Sequence, residues 1–300
     1  MSAVLSVDAG QTRCRLVAGV AEVFETDAVI TDYPVLPQLA DRIRVGIAAF
    51  GAVDGVAIGS TGLPDDATAA ELLKLLADDG ISQVWLAHDS ITNYLAALGA
   101  RQGVMVAAGT GVVTLAVGPR RTARVDGWGY LIGDAGSGYW IGRAGLEAVM
   151  RAFDGRGPET RLTGVVTTDF PDLPALYLSL QNDEAKVARI ASYAQPVADL
   201  AATDEVCAEI CRAAGNQLAH SANSALRRAE LGAVPDPPVG LNGRIFGSAI
   251  IREEFCSRVL DEHPDAEFVD CHTSSLAGVE LLAGLAPVSP LAKLVDSAAA

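Results

Sequence analysis

Two short glycine turns contain residues whose types and spacing could bind an anion. Residues 8–12 read DAGQT and residues 108–111 read AGTG, and each turn follows an apolar run that is predicted to form a strand. Small residues let an anion approach consecutive backbone N–H groups, and Thr12 and Thr110 add hydroxyl donors. Such turns favour the binding of phosphate.

Two aspartates could complete a site for phosphoryl transfer. Asp8 would repel a phosphate unless a cation lay between them, so we assign Asp8 to Mg²⁺, which carboxylates and phosphates hold together with water. Asp89 follows a predicted strand at 83–87 and begins a predicted helix. It is either the N-cap of that helix or a general base for a substrate hydroxyl, and the two roles are compatible. Phosphoryl transfer needs positioning and charge neutralisation more than covalent chemistry.

A third segment, residues 127–142, packs closely spaced glycines and aromatic residues into the sequence GWGYLIGDAGSGYWIG. Repeated glycines predict a backbone that runs tightly against a ligand or another strand. Asp134 lies in the middle of the segment with no lysine or arginine beside it. We refer to this segment as the glycine-aromatic block.

The elements that must position these residues alternate between strands and helices, which predicts an α/β fold with a mostly parallel sheet. Strands are predicted at 3–7, 13–20, 53–59, 83–87, 103–107, 112–117, 239–246 and 266–269. Helices are predicted at 36–50, 65–78, 89–98, 137–153, 249–260 and 276–285, with several more between 171 and 232 and a frayed alanine-rich end. The hairpin with a glycine turn occurs twice, as a duplicated fold would leave it.

Composition excludes several classes of protein. The chain has 300 residues, of which 50% are hydrophobic, and a net charge of −15, so neither nucleic acid nor an anionic membrane is an expected partner. Asp8 interrupts the first apolar run early, which argues against a signal peptide and for a cytoplasmic protein with reduced thiols. Cys207 and Cys211 are four residues apart on a predicted helix and are expected to be buried rather than metal-bound.

The glycine-aromatic block resembles the signature of the N-acetylglucosamine kinases within the BadF/BadG/BcrA/BcrD ATPase family, and the resemblance covers nearly the full length. It implies the two-domain actin-like ATPase (ribonuclease H-like) α/β fold, with ATP in a cleft between the domains. The domains are expected at 1–108 and 109–284, the second with a helical insertion, followed by a tail at 285–300. The implied activity is ATP- and Mg²⁺-dependent phosphorylation of the 6-hydroxyl of N-acetylglucosamine or glucosamine by a homodimer.

The resemblance also implies roles for single residues. Asp89 is the implied base, and Asp8 lies near Mg²⁺. The residues implied to bind ATP are Gly10, Gln11, Thr12, Gly109, Thr110, Gly111, Asn242 and Gly243. The residues implied to bind the sugar are Asp32, Asp89, Thr110, Gly127, Trp128, Gly129 and Asp134. Trp128 is expected to stack on the sugar ring, whereas Trp140 is expected to pack in the core.

The chain departs from the family pattern at three places. Gln11 replaces a glycine, so its amide either donates to a phosphate or weakens ATP binding. Ala135 stands where an acid is usual, and residues 31–37 lack the usual asparagine, so Asp32 is assigned in its place and the identity of the sugar stays open. Two alternatives are a non-catalytic sensor of sugar or nucleotide and an ATPase that activates a partner enzyme. The activator would need cysteines for an iron–sulfur cluster, and none lies between Cys14 and Cys207.

Overall fold

The computed structural model describes residues 3–10, 13–19, 21–64, 66–271 and 273–300. The chain divides into two units. The first unit comprises Met1–Arg101, Pro119–Thr122 and Cys271–Ala300, and the second comprises Gln102–Gly118 and Ala123–Asp270. In the described part of the chain, no helix has both the length and the apolar character needed to cross a membrane.

A six-stranded sheet forms the centre of the first unit. Its strands are β1 (Val4–Ala9), β2 (Cys14–Ala18), β3 (Phe24–Thr26), β4 (Gly55–Ser60), β5 (Gln83–His88) and β11 (Val295–Ala299), in the order β11-β5-β4-β1-β2-β3. β4 runs parallel to both β1 and β5, and its last residue, Ser60, is in register with Ala9 and His88. The segments that follow β1 and β5 therefore leave the sheet at the same edge, where ligands bind in α/β sheets.

The helices of the first unit are α1 (Val35–Phe50), α2 (Ala69–Leu75), α3 (Asp89–Leu98) and α11 (Ser275–Glu280). Buried aliphatic side chains of α1, among them Leu39 and Ile43, join Leu5 and Ile58 of the sheet in one hydrophobic core. α2 begins with a capping box, in which Thr68 and Glu71 satisfy each other's backbone amides. These contacts fix α1 and α2 beside the sheet.

The alanine-rich end of the chain forms a strand, so the expectation that it is frayed is wrong. β11 pairs antiparallel with β5, with Val295 opposite Ala87, and the Ala300 amide donates to the Ser82 carbonyl. Without this strand, β5 would present an unpaired row of backbone groups at the sheet edge. Backbone pairing does not depend on side-chain pattern, so an alanine-rich sequence gives little local sign of it.

The second unit is built on a five-stranded sheet with the order β10-β9-β6-β7-β8. Its strands are β6 (Gly103–Ala108), β7 (Val112–Val117), β8 (Thr122–Val125), β9 (Pro238–Asn242) and β10 (Glu267–Cys271). Its helices are α4 (Gly138–Phe153), α5 (Leu162–Asp169), α6 (Leu176–Gln181), α7 (Lys186–Ser192), α8 (Ala194–Leu200), α9 (Glu205–Arg228) and α10 (Ala249–Glu262). The long α9 contributes many buried side chains to the core, including Cys207 and Cys211, as expected.

The observed units differ at both ends from the domains expected at 1–108 and 109–284. β6 pairs with β7 and β9, so residues 103–108 belong to the second sheet. α11 packs on α3, and β11 pairs with β5, so the end of the chain returns to the first unit. Sequence order alone does not indicate this return.

The contact between α11 and α3 depends on a glycine. A Cβ atom on Gly278 would lie 1.8 Å from the Thr92 carbonyl oxygen. We expect Gly278→Ala to lower the free energy of unfolding by about 1–3 kcal/mol, because the backbone must shift to relieve the overlap. The measurement is urea denaturation followed by circular dichroism.

The matched control is Gly164→Ala in α5, where an added Cβ meets no atom within 4 Å. This substitution should leave stability unchanged or raise it by up to about 1 kcal/mol, because alanine favours the helix. Equal destabilisation by the two substitutions would contradict the close approach of α11 and α3.

Candidate active site

The carboxyl edge of the first unit's sheet carries a pocket of about 550 Å³. Residues that line it include Asp8, Gly10, Arg15, Asp89, Asn93 and Ser275. The parallel pairing of β1, β4 and β5 explains why Asp8 and Asp89, far apart in sequence, share it. The pocket combines a glycine turn with the carboxylates of Asp8 and Asp89 and the guanidinium of Arg15, and the Arg13–Glu25 ion pair also lines it. These groups suit a phosphate and a hydroxyl.

Asp8 is the buried centre of a small polar network, with a side chain 9% exposed. Its Oδ2 accepts a hydrogen bond from Arg15 Nε at 3.0 Å and another from the Ser275 hydroxyl at 2.8 Å. Arg15 Nη2 also donates to Asp8 Oδ2 and to the Ser275 hydroxyl oxygen. The guanidinium therefore neutralises Asp8 while remaining at the pocket wall.

Asp8 fits a site for Mg²⁺ that is completed by a substrate. In the part of the chain that the structure describes, the side chains of Arg15 and Ser275 bond to Oδ2 of Asp8 and not to Oδ1, so Oδ1 suits a cation. Among the described residues, no group of three or more His, Cys, Asp or Glu is arranged to hold a metal ion. Mg²⁺ commonly binds through one or two carboxylates, several waters and the phosphates of its nucleotide, so a single protein carboxylate suffices.

Asp89 is the first residue of α3, and its carboxylate is 33% exposed. The N-cap is His88, whose Nδ1 accepts a hydrogen bond from the Ser90 amide at 3.3 Å. The N-cap interpretation of Asp89 is therefore wrong, because β5 continues one residue further than the pattern predicted. His88 Nδ1 also lies 2.8 Å from Asp89 Oδ1. A proton on Nδ1 would let His88 donate to this carboxylate instead of accepting from Ser90. The carboxylate also lines the pocket.

The remaining predicted residues of the first unit have mixed positions. Gly10 lies on the pocket wall, and its amide donates to the Arg13 carbonyl at 3.1 Å. Gln11 and Thr12 lie outside the described residues. Asp32 is exposed in the turn before α1 and is not among the residues that line the pocket. Its role in sugar binding stays a prediction.

The glycine turn at 109–111 in the second unit packs on the beginning of α4. The Gly109 and Thr110 carbonyls accept hydrogen bonds from the Gly138 amide at 2.7 Å and the Tyr139 amide at 3.0 Å. A pocket of about 730 Å³ opens beside this turn. Residues that line it include Gly109, Thr110, Gly138, Gln195, Arg244 and Ser248.

The turn at Asn242–Gly243 lies against the same glycine turn. β9 runs parallel to β6, with Asn242 in register with Ala107. Gly243 has a φ of 110°, and a Cβ on it would lie 2.1 Å from the Ala108 carbonyl oxygen. Only glycine fits there. Arg244, the next residue, lines the second pocket.

The glycine-aromatic block holds Asp134 in a left-handed conformation with φ 60° and 8% exposure. Burial raises the pKa of Asp134, and hydrogen bonds from the Val112 and Gly129 backbone amides partly offset that rise. A Cβ on Gly111 would lie 2.7 Å from Asp134 Oδ2. Asp134 is therefore the residue of the block that packs directly against the 109–111 turn.

The block also presents aromatic surface. Trp128 is 62% exposed, and the Arg124 guanidinium lies 5.5 Å from the centre of its ring. Gly127 and Gly129, on either side of it, have φ values of 79° and 82°, which only glycine adopts readily. Trp140 packs partly buried against the core, as expected.

Sequence reasoning missed Arg15, Ser275 and Asp126. A signal for Arg15 was present, because a hairpin with its turn at 10–13 places residue 15 opposite Asp8. Ser275 is 267 residues from Asp8, and no local pattern predicts their contact. Asp126 immediately precedes the block and accepts backbone hydrogen bonds from within it.

Comparison with known proteins identifies the family. A family model described as the BadF/BadG/BcrA/BcrD ATPase family matches residues 39–277. The chain belongs to this family. The match includes Asp89, the 109–111 turn, the glycine-aromatic block and Asn242–Gly243.

Two curated proteins are similar to this chain in sequence. N-acetyl-D-glucosamine kinase of Dictyostelium discoideum is 31% identical over 189 residues, which are 60% of this chain and 59% of that protein. N-acetylmuramic acid/N-acetylglucosamine kinase of Clostridium acetobutylicum is 28% identical over 181 residues, which are 55% of this chain and 58% of that protein. The matched segments thus span less than two thirds of these relatives.

Solved structures show the fold. A protein of Chromobacterium violaceum, provisionally named N-acetylglucosamine kinase, gives a TM-score of 0.69 at 24% identity and covers 94% of this chain and 99% of its own. A ROK hexokinase from Thermus thermophilus gives a TM-score of 0.56 at 12% identity, with coverages of 93% and 97%. The predicted α/β fold of the actin-like ATPase class is confirmed.

The hydrogen bonds around Asp8 predict how Arg15 affects the stability of the protein without ligand. Arg15→Gln should lower the free energy of unfolding by about 1–3 kcal/mol, because a buried carboxylate loses its cation. Chemical denaturation measures the difference. The double variant Asp8→Asn/Arg15→Gln should recover part of the loss, because no buried charge remains unpaired.

Arg13→Gln is the control, because Arg13 and its partner Glu25 form an ion pair with side chains 56% and 51% exposed. This substitution should change stability by no more than about 0.5 kcal/mol. Similar losses for the Arg13 and Arg15 variants would show that burial of Asp8 does not matter.

Proposed function

We propose that this chain is a kinase that transfers the γ-phosphoryl group of ATP to the 6-hydroxyl of N-acetylglucosamine or glucosamine. The observation that carries the proposal is the shared pocket of Asp89, Asp8 and the glycine turn at Gly10. The names of the two sequence relatives support an amino sugar as acceptor. The family's description supports ATP as donor.

Asp89 acts as the base in this proposal. The sugar 6-hydroxyl oxygen forms a bond to the γ-phosphorus while the bond from that phosphorus to the β–γ bridging oxygen breaks, and ADP leaves. The hydroxyl proton passes to the Asp89 carboxylate, which lines the pocket and is held beside His88. A positioned carboxylate of this kind contributes about 10²–10⁴ in rate.

Asp8 and Arg15 offset the negative charge of the triphosphate in this proposal. Asp8 would hold Mg²⁺ together with the phosphates, and the ion would neutralise charge on the phosphate oxygens. Arg15 is a fixed cation at the pocket wall, because Asp8 and Ser275 hold its guanidinium. In a protein of net charge −15, such local groups must replace any long-range attraction for ATP.

The second unit's pocket binds the nucleoside in this proposal. Alanine-rich stretches of α7 and α8 line one side, and Arg244 and Ser248 line another. Gly109 and Thr110 belong to the same pocket, and Gly243 lies against Ala108 at its edge. This arrangement supports the assignment of the 109–111 and 242–243 turns to ATP.

The glycine-aromatic block binds the sugar in this proposal. Trp128 presents an exposed ring that suits stacking on a pyranose, and Gly127 and Gly129 allow close approach of the backbone. An acetyl group needs an apolar pocket, whereas a free ammonium prefers acids. Assembly as a homodimer stays a prediction of the resemblance, and a cytoplasmic location stays a prediction from the composition.

The proposal is tested by measuring ADP release with ATP, Mg²⁺ and a panel of sugars. The panel contains N-acetylglucosamine, glucosamine, N-acetylmuramic acid, glucose and N-acetylmannosamine. We expect the highest kcat/KM with one of the first two sugars and a 6-phosphate product by ³¹P NMR. ATP turnover that no sugar stimulates would overturn the assignment.

Asp89→Asn tests the assigned base. This substitution should lower kcat by about 10²-fold or more with little change in the KM for ATP, because the amide cannot accept the proton. Steady-state kinetics with the best sugar measures the change.

The control for Asp89→Asn is Asp41→Asn, which alters a surface carboxylate 69% exposed on α1. It should leave kcat unchanged within about twofold. A sensor that needs no proton transfer would bind its ligands equally well in both variants. Retention of wild-type kcat by Asp89→Asn would remove Asp89 from the mechanism.

A further inference from the structure

Asp126 organises the backbone of the glycine-aromatic block from just outside it. Its Oδ1 accepts hydrogen bonds from the Gly127 and Asp134 amides, each at 2.8 Å. Its Oδ2 accepts a third from the Ala135 amide at 3.0 Å. One carboxylate therefore satisfies three backbone donors and uses both of its oxygens.

These hydrogen bonds exceed what an ordinary turn requires. An aspartate in a turn commonly bonds to an amide one or two residues onward, as Asp126 does with Gly127. The bonds to Asp134 and Ala135 reach eight and nine residues onward and close the intervening segment into a loop. The loop is thus tied at both ends to the same side chain.

The backbone accepts strain to bring this carboxylate into place. Asp126 has a φ of 57°, a left-handed conformation that glycine adopts more readily than aspartate. A Cβ on Gly133 would lie 2.6 Å from Asp126 Oδ1, so the loop returns as close to the carboxylate as a glycine permits. Glycine in place of Asp126 would relieve this strain but would remove the carboxylate.

The tip of the tied loop carries apolar side chains that are mostly exposed to solvent. Leu131 is 80% exposed and Ile132 is 86% exposed, so neither packs in a core. Trp128 is also largely exposed. With little burial to fix these residues, hydrogen bonds must supply the order of the loop.

We propose that Asp126 is a positioning residue that fixes loop 127–135 in its sugar-binding conformation before the sugar arrives. The inference rests on the proposed function for the identity of the ligand. A loop ordered in advance loses less conformational freedom on binding, so loss of the clamp weakens sugar binding. Asp126 does not itself act on the phosphoryl group, so the turnover of bound substrate should change little.

Hydrogen exchange in the protein without ligand tests the clamp directly. Asp126→Gly removes all three acceptors and relieves the positive φ, so the Gly127, Asp134 and Ala135 amides should each exchange at least about tenfold faster. Asp126→Asn keeps one oxygen acceptor and tolerates the same φ, so the amides bonded to Oδ1 should stay slow while Ala135 accelerates. NMR or fragmentation mass spectrometry resolves the single amides.

Kinetics and binding supply the second readout. For Asp126→Gly, the KM and the calorimetric Kd for the sugar should rise about tenfold, and for Asp126→Asn they should rise less, while kcat and the KM for ATP stay within about threefold in both variants. The control is Asp154→Asn, whose carboxylate accepts a hydrogen bond from the Arg156 amide in another loop of the same unit. It should alter neither loop exchange nor sugar affinity.

The outcomes separate this inference from the proposed function. Unchanged exchange of the three amides in Asp126→Gly overturns the clamp, whatever the activity. Faster exchange with unchanged sugar affinity overturns its role in positioning. A wild-type protein that phosphorylates no sugar counts against the proposed function, and the exchange rates still decide whether Asp126 holds the loop.

Discussion

The second unit depends on backbone segments that pack against one another with no side chain between them. A Cβ on Gly243 would overlap the Ala108 carbonyl, and one on Gly138 would lie 2.9 Å from the Gly109 carbonyl oxygen. Gly111 approaches the Asp134 carboxylate in the same way. The turns at 109–111 and 242–243 and the beginning of α4 can meet only because these positions lack side chains. This packing fixes the positions of the backbone segments that are proposed to contact the nucleotide and the sugar.

Under the proposed function, the first unit must bring a triphosphate to an acidic protein. The parallel register of β1, β4 and β5 brings Asp8 and Asp89 to one edge of the sheet. Two carboxylates beside a phosphate would be repulsive by themselves. Arg15 offsets Asp8, and Ser275, from the far end of the chain, fixes the position of both. The return of α11 and β11 to this sheet therefore contributes directly to the candidate site.

Sequence patterns predicted the features that depend on residues close together in the chain. Glycine turns after apolar runs gave the two hairpins, and the glycine-aromatic block gave the family and the beginning of α4. The alanine-rich strand β11 was missed because its order comes from backbone pairing with β5, which leaves no mark on its own side chains. Ser275 was missed because its contact with Asp8 arises only after the chain returns to the first sheet. Asp126 was missed because two of the three amides that it binds lie eight and nine residues away.

The central claim is that the Asp89 carboxylate accepts the proton of the sugar 6-hydroxyl. A crystal structure with N-acetylglucosamine and a non-hydrolysable ATP analogue tests it most directly. The account predicts an Asp89 carboxylate oxygen about 3 Å from the sugar 6-hydroxyl, with the phosphates beside Asp8 and Gly10. A bound sugar whose hydroxyls all lie beyond hydrogen-bond reach of Asp89 would contradict it.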